Sequence, residues 1–130
     1  MKNSKISQGT IEFVIITTSI VFFFTLFFLV IQNNLELKGK EREEIVVKNL
    51  ALYIQNEIEI AKKASNGYMR SFEIPEEIEG KEYGAQIIDG LVYVNTTRTA
   101  LSIVVGNVSG DIQKGENIIK KENENVYLNQ

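Results

Sequence analysis

The stretch IEFVIITTSIVFFFTLFFLVI, from Ile11 to Ile31, decides how this chain folds. It contains no Lys, Arg, Asp or Gly, and its only charged residue is Glu12. A helix rises about 1.5 Å per residue, so this stretch would be roughly 30 Å long, enough to cross the hydrocarbon core of a bilayer. Its serine and threonine hydroxyls can bond to the carbonyl one turn earlier. The stretch therefore predicts a membrane-spanning helix.

Two other roles for this stretch are less consistent with the sequence. A helix buried inside a soluble domain would need apolar partners on every side, and the chain from Gln32 onward is too polar to supply them. A secretory signal peptide has an apolar core of about 7–15 residues followed by a small-residue cleavage site. Here the apolar core is longer, and Gln32-Asn33-Asn34 follows it.

The composition narrows the classes of function. The 130 residues suit one small domain with an appendage, and the net charge of -3 argues against nucleic-acid binding, which favours a basic face. The chain has no Cys and no His, so disulfides, thiolate metal sites and the usual general base are absent. We therefore expect no catalytic site, no metal and no cofactor. A carboxylate-based hydrolase is the remaining enzymatic alternative.

Charged residues beside the apolar stretch predict its orientation. Lys2 and Lys5 precede it with no acidic residue among them. The positive-inside rule keeps such an end in the cytoplasm and exports the other. The basic residues after the span are interleaved with glutamates, so they weaken this prediction without reversing it.

The boundary of the span carries the most informative motif, Lys5–Phe13, which reads KISQGTIEF. A short basic leader ends in small and polar residues, and Glu12 lies at the start of the apolar helix. An acid in a membrane segment is costly and points to a function. The motif resembles the class III signal peptide of archaeal prepilins, which are related to bacterial type IV pilins. In that family a basic leader precedes Gln, and Glu followed by an apolar residue comes at the same spacing as Glu12 and Phe13.

The resemblance implies a processing site and an assembly role. A membrane aspartic peptidase, the prepilin peptidase, would cut between Ser7 and Gln8 on the cytoplasmic side. Many family members have Gly or Ala before the Gln, and Ser7 is likewise small. Gln8 would become the N-terminus and Glu12 the fifth residue of the mature chain. In a filament, the amino terminus of a neighbouring subunit could compensate the charge of Glu12, which would otherwise be buried unpaired.

Beyond the span the helix is expected to become amphipathic. Apolar residues recur every three or four positions, at Val47, Leu50, Ala51, Ile54, Ile58, Ala61 and Ala64. Polar residues, including Glu57 and Lys62, would take the other faces. Gly39 is expected to loosen the helix, and Asn66-Gly67 to end it. This part would lay its apolar side against a sheet, with a coiled-coil dimer as the alternative.

After Gly67 the pattern changes to short strands. The Asp89-Gly90 pair predicts a hairpin, and Gly115 another turn. The expected strands are Tyr68–Ile74, Tyr83–Ile88, Leu91–Thr97, Leu101–Val105, Ile118–Lys121 and Val126–Leu128. The predicted class is α+β, similar to type IV pilins: a long N-terminal helix, with a transmembrane half and an amphipathic half, on a small antiparallel sheet or sandwich. Its segments are a leader (1–7), an apolar helix (8–34), an amphipathic helix (35–66) and an extracytoplasmic β domain (67–130).

Two other features of the exported part are weaker signals. The triplets that begin at Asn95 and Asn107 match the N-glycosylation sequon and lie in or beside predicted turns. The acidic pairs Glu43-Glu44 and Glu76-Glu77 lack the spacing of a calcium loop, so we expect them to be solvated surface charge.

Together these features favour a structural role. The predicted partners are the membrane, the prepilin peptidase and identical or related pilin subunits. The precursor would lie in the cell membrane with its C-terminal domain outside, and the mature protein in a surface filament that serves adhesion. The alternative is a single-span, membrane-anchored surface binding module that does not polymerise.

Overall fold

The computed structural model describes the backbone of residues 2–130 and the side chains of residues 8–130. Its class is α+β, because one helix precedes all of the described strands. The elements are α1 (Lys2–Lys63), β1 (Met69–Ile74), β2 (Gly84–Ile88), β3 (Leu91–Asn95), β4 (Ala100–Val104), β5 (Ser109–Gly110), β6 (Gly115–Glu122) and β7 (Asn125–Leu128). The side chains of the predicted leader, including Lys2, Lys5 and Ser7, lie outside the described part.

The contacts divide the chain into two units. The first ends at Gly39, and the second, which we call the head, is Lys40–Gln130. Gly39 itself is assigned to α1. The head thus includes the last part of the helix together with every strand, whereas the segments predicted from sequence separated 35–66 from 67–130.

The amphipathic pattern of the helix within the head is confirmed. Ala51, Ile54, Ile58 and Ala61 are fully buried, as is nearly all of Val47, while Ala64 is half-buried. Each buried isoleucine side chain contributes roughly 2 kcal/mol relative to an exposed one. This side of α1 therefore forms one wall of the core of the head.

The helix ends at Lys63, three residues before the predicted stop, because a lysine from a distant strand satisfies its last carbonyls. The ammonium of Lys121 on β6 donates to the carbonyl oxygens of Lys62, at 2.7 Å, and Ala64, at 3.0 Å. A cation at a helix C-terminus also interacts favourably with the helix dipole. The predicted turn at Asn66-Gly67 follows directly, and Gly67 has a φ of 91°.

The seven described strands form two sheets, where the sequence predicted about six strands in a small antiparallel sheet or a sandwich. The first sheet has the order β1-β6-β7-β5, and all of its pairs are antiparallel except β5 with β7, which is parallel. The second sheet is the antiparallel meander β2-β3-β4. The Asp89-Gly90 hairpin between β2 and β3 is confirmed, and the two residues have φ values of 50° and 74°, as a type I′ turn requires.

The sequence predicted a turn where the structure has strand β5. A strand of two residues is too short to show the alternation of buried and exposed residues by which strands are predicted. Gly110 permits it, because a Cβ there would lie 1.9 Å from the carbonyl oxygen of Leu128 on β7. Gly115, expected in a turn, is instead the first residue of β6 and has a φ of 82°. The other predicted strands differ from the observed ones by a few residues at their ends.

One core joins the helix to both sheets. Its buried strand residues come from the inner faces of the sheets and include Phe72, Ile74, Val92, Val94, Ile119, Val126 and Leu128. The carboxylate of Asp111 accepts from the backbone N–H of Ile87 at 3.0 Å, and so ties the connection before β6 to the edge of β2. The buried amide of Asn117 bonds to the backbone of Gln113 in both directions, at 2.9 and 2.7 Å.

The head should fold without the apolar segment. We expect a fragment of residues 40–130 to unfold cooperatively in urea, because it retains the helix and both sheets. A fragment of residues 67–130 should show no cooperative transition, since it lacks Val47, Ile54 and Ile58 and exposes the inner faces of both sheets. Circular dichroism during urea titration compares them. Cooperative unfolding of the shorter fragment would contradict the role of α1 in the core.

Candidate functional site

The apolar part of α1 presents its side chains outward along its whole length. Between Ile11 and Ile31 the large apolar side chains are 37% to 69% exposed, the extremes being Ile31 and Phe13. The helix is long and apolar enough to cross a membrane, and within the described residues no part of its most apolar window is buried. Such a surface requires a nonaqueous environment.

Three hydroxyl-bearing residues within this segment form hydrogen bonds within the helix itself. The hydroxyls of Thr17, Ser19 and Thr25 donate to the carbonyl oxygens four residues earlier, at 2.8, 2.8 and 2.9 Å. This confirms the expected back-bonding for these three residues and not for Thr18, for which the described part of the chain shows no such bond. A hydroxyl paired in this way costs much less in hydrocarbon than an unpaired one.

The two residues at the centre of the predicted motif lie on one side of the helix. The side-chain amide of Gln8 donates to the carboxylate of Glu12 at 3.4 Å, one turn further along. Both side chains are exposed, as is that of Phe13. The carboxylate thus lies beside the residue that the predicted cleavage would make N-terminal. The other side of the predicted bond, Ser7, lies outside the described side chains.

In the head, Glu43 is buried rather than solvated, which corrects the sequence-based expectation. Its side chain is 3% exposed and lies 3.3 Å from the ammonium of Lys81. The hydroxyl of Thr96 lowers the pKa of Glu43, and Lys81 and Arg98 act in the same direction, while burial opposes them. No local sequence pattern indicates this pair, because Lys81 is 38 residues away along the chain.

The burial of Glu57 is a second correction, because the sequence-based prediction placed this residue on the polar side of the helix. Its side chain is 4% exposed and lies 3.5 Å from the guanidinium of Arg70 on β1. The pKa of Arg70 is raised, first by the side chain of Tyr68 and then by Glu57. The helix is thereby joined to the edge of the first sheet by a partly buried ion pair.

Two further contacts join the helix to the second sheet. The side-chain amide of Gln55 donates to the carbonyl oxygen of Val104 at 2.8 Å, and the ammonium of Lys62 donates to the carbonyl oxygen of Val105. All of these polar groups hold α1 against the strands.

The two sequons differ in accessibility. Asn107 is exposed in the bend between β4 and β5. Asn95 is the last residue of β3 and is half-buried, and its side-chain oxygen lies 2.5 Å from where a Cβ on Gly84 would be. Asn107 is therefore the better placed of the two to carry a glycan.

The remaining acidic residues of the predicted pairs, Glu44, Glu76 and Glu77, are exposed as expected. Within the described residues, no group of three or more acidic side chains could hold a metal ion. Comparisons of the chain with protein-family models, with curated proteins and with solved structures found no match.

The stability of the head should depend on the ionisation of Glu43. Its folded pKa lies below the ordinary value of 4.5, so the ionised carboxylate stabilises the head above that pH. This contribution is lost as the pH falls through the folded pKa. As the pH falls from about 6 to about 3, the urea concentration at which half of the wild-type head is unfolded should approach that of Glu43→Gln.

The matched control is Glu44→Gln, which changes an exposed neighbour on the same helix. The difference between its urea midpoint and that of the wild type should stay constant across this pH range. A difference between wild type and Glu43→Gln that does not vary with pH would contradict the stabilising role of the carboxylate.

Proposed function

We propose that this protein is a structural subunit of an archaeal type IV pilus-like surface filament. It is inserted as a prepilin, cut between Ser7 and Gln8, and assembled through α1. The observation that carries the proposal is the exposed apolar surface from Ile11 to Ile31, with a carboxylate at its start. In the membrane the head lies outside the cell, and in the filament it is displayed at the surface for attachment.

The apolar surface has two environments that could cover it. A bilayer covers it in the precursor, because lipid tails are as apolar as the side chains. A bundle of the same helices covers it in a filament, since each helix is apolar on every side. The internally bonded hydroxyls of Thr17, Ser19 and Thr25 suit both environments.

Apolar residues beyond the predicted span favour assembly over simple anchoring. Ile45 and Leu52 belong to the head and are 58% and 42% exposed. They are seven residues apart, so they share one side of the helix, and that side is opposite the buried Ile54. A span of residues 8–34 would leave both in water, whereas a neighbouring helix packed at heptad spacing would cover them.

In this proposal, the carboxylate of Glu12 determines how neighbouring subunits are aligned along the filament. Cleavage would create an amino group on Gln8, one helical turn from Glu12 and on the same side. In a bundle, the amino group of one subunit would pair with Glu12 of the next, and this pairing would fix the axial offset between subunits. Removing one partner of a buried ion pair leaves an uncompensated charge, which costs roughly 3–5 kcal/mol.

The alternative, a surface binding module anchored by a single span, shares the membrane helix but requires neither processing at Gln8 nor the carboxylate of Glu12. The two functions differ in what Glu12→Ala does. For a subunit, this variant should insert normally while the filament yield falls at least about tenfold, since the amino group is left unpaired.

Filament yield is measured by shearing cells of the native host and quantifying the released protein, with electron microscopy of the sheared fraction. Glu12→Gln tests the charge at constant size and should fail similarly. Glu44→Gln, an exposed acid of the same helix outside the span, should assemble normally. Normal filaments from Glu12→Ala would remove the proposed role of the carboxylate, and unassembled wild-type protein would favour the anchored module.

A further inference from the structure

The outer face of the second sheet carries a shallow groove that the core does not need. Inward-facing Val92 and Val94 on β3 are fully buried, while Leu91 and Tyr93, which alternate with them, point outward. The groove, which we call the β2–β4 groove, is lined by Gln86, Ile88, Asp89, Leu91, Tyr93 and Ser102.

An aromatic ring lies at the centre of the groove with a polar group on each side. Tyr93 is on the central strand, directly opposite Gln86 on β2 and Ser102 on β4. Neighbouring strands lie about 4.8 Å apart, so the amide and the hydroxyl stand about 10 Å from each other across the ring. An amide and a hydroxyl can each donate and accept hydrogen bonds.

One end of the groove is apolar. Ile88 and Leu91 line this end, and Val104 on β4 lies just outside the groove, paired with Leu91. The three side chains are 49%, 36% and 68% exposed. Next to them, Asp89 is in the hairpin turn and is the only charged residue among the described residues that line the groove. The groove therefore disfavours anionic ligands, and the carboxylate of Asp89 can accept a hydrogen bond from a ligand hydroxyl.

The size of the face indicates what it could hold. Three strands of five residues present a face of roughly 14 Å by 17 Å, about 240 Å². A stable protein partner needs about 800 Å² from each side. The face alone is therefore too small for a stable protein complex, but it is large enough for one small ring with polar groups around its edge.

We propose that the β2–β4 groove binds a neutral saccharide. The apolar face of a sugar ring packs on Tyr93 and the aliphatic side chains, and its hydroxyls bond to Gln86, Ser102 and the carboxylate of Asp89. Aromatic and aliphatic contact with a few convergent polar groups is the usual composition of small-molecule sites. A monosaccharide on so open a site should bind with a dissociation constant of about 1 mM. This site does not depend on the proposed filament function.

The five tyrosines of the chain offer a direct readout. The full-length protein, labelled with ¹³C in its tyrosine rings, is placed in phosphatidylcholine nanodiscs, because glycosidic detergents would compete. Glucose, galactose, mannose, N-acetylglucosamine and N-acetylgalactosamine are each titrated to about 20 mM. At least one should shift the Tyr93 resonance with saturation and receive magnetisation from the protein in saturation-transfer spectra.

Tyr127 is the matched control, because it is half-buried on the outward face of β7 in the first sheet. Its resonance should not respond. Tyr93→Ala should weaken binding at least about tenfold, and Asp89→Asn should weaken it less, while Tyr127→Ala retains it. The resonance of Tyr83, whose hydroxyl donates to the carbonyl of Pro75, reports that each variant is folded.

Three outcomes would overturn the proposal. In the first, none of the five saccharides shifts the Tyr93 resonance. In the second, the Tyr127 resonance shifts as much as that of Tyr93, which indicates nonspecific association. In the third, the Tyr93 resonance moves with protein concentration and is unaffected by saccharide, which would assign the groove to contact with a second copy of the chain.

Discussion

The apolar surface of α1 must be kept out of water, and this requirement organises the whole molecule. Every large apolar side chain from Ile11 to Ile31 is exposed, and the head has its own core. Transferring one such side chain fully out of water is favourable by roughly 2 kcal/mol. The segment as a whole therefore strongly favours lipid or packing against other helices. The protein is consequently divided into a part made for an apolar environment and a part made for water.

One helix contributes to both parts because its sequence pattern changes along its length. From Ile11 to Ile31 it is apolar on all sides. Within the head its buried side is apolar, and its outer side is mostly polar apart from Ile45 and Leu52. Apolar contact alone would fix the rotation of this second part loosely, since any of several side chains could fill similar space. The ion pairs of Glu43 with Lys81 and Glu57 with Arg70 specify the rotation. Each pair forms only when the glutamate faces its cation, so the pairs favour this rotation in addition to any stability that they contribute.

The sequence predicted those features that depend on near neighbours along the chain. The buried side of α1 followed from the three- and four-residue spacing of Val47 to Ala61, and the β2–β3 hairpin from Asp89-Gly90. The back-bonded hydroxyls followed from the geometry of a helix. The membrane-spanning length followed from simple counting, and the helix is indeed long and apolar enough.

Features that depend on distant partners could not be predicted in this way. Glu43 and Glu57 were predicted to be surface residues, because their cationic partners are distant along the chain and no local pattern indicates them. The helix ends early because Lys121, from β6, bonds its last carbonyls. Strand β5 depends on Gly110 approaching the backbone of β7, and no local pattern indicates that approach. Of the proposed site, Gln8, Glu12 and Phe13 were predicted from their motif, whereas the β2–β4 groove emerged only from the strand register.

The most direct test of the account is the intact mass and N-terminal sequence of the protein recovered from its native membrane or cell surface. The account predicts a mature chain that begins at Gln8. A mature chain that still begins at Met1 would contradict processing and leave a membrane-anchored surface module. A chain that begins after Ile31 would contradict the filament itself, since the helix that assembles it would be gone.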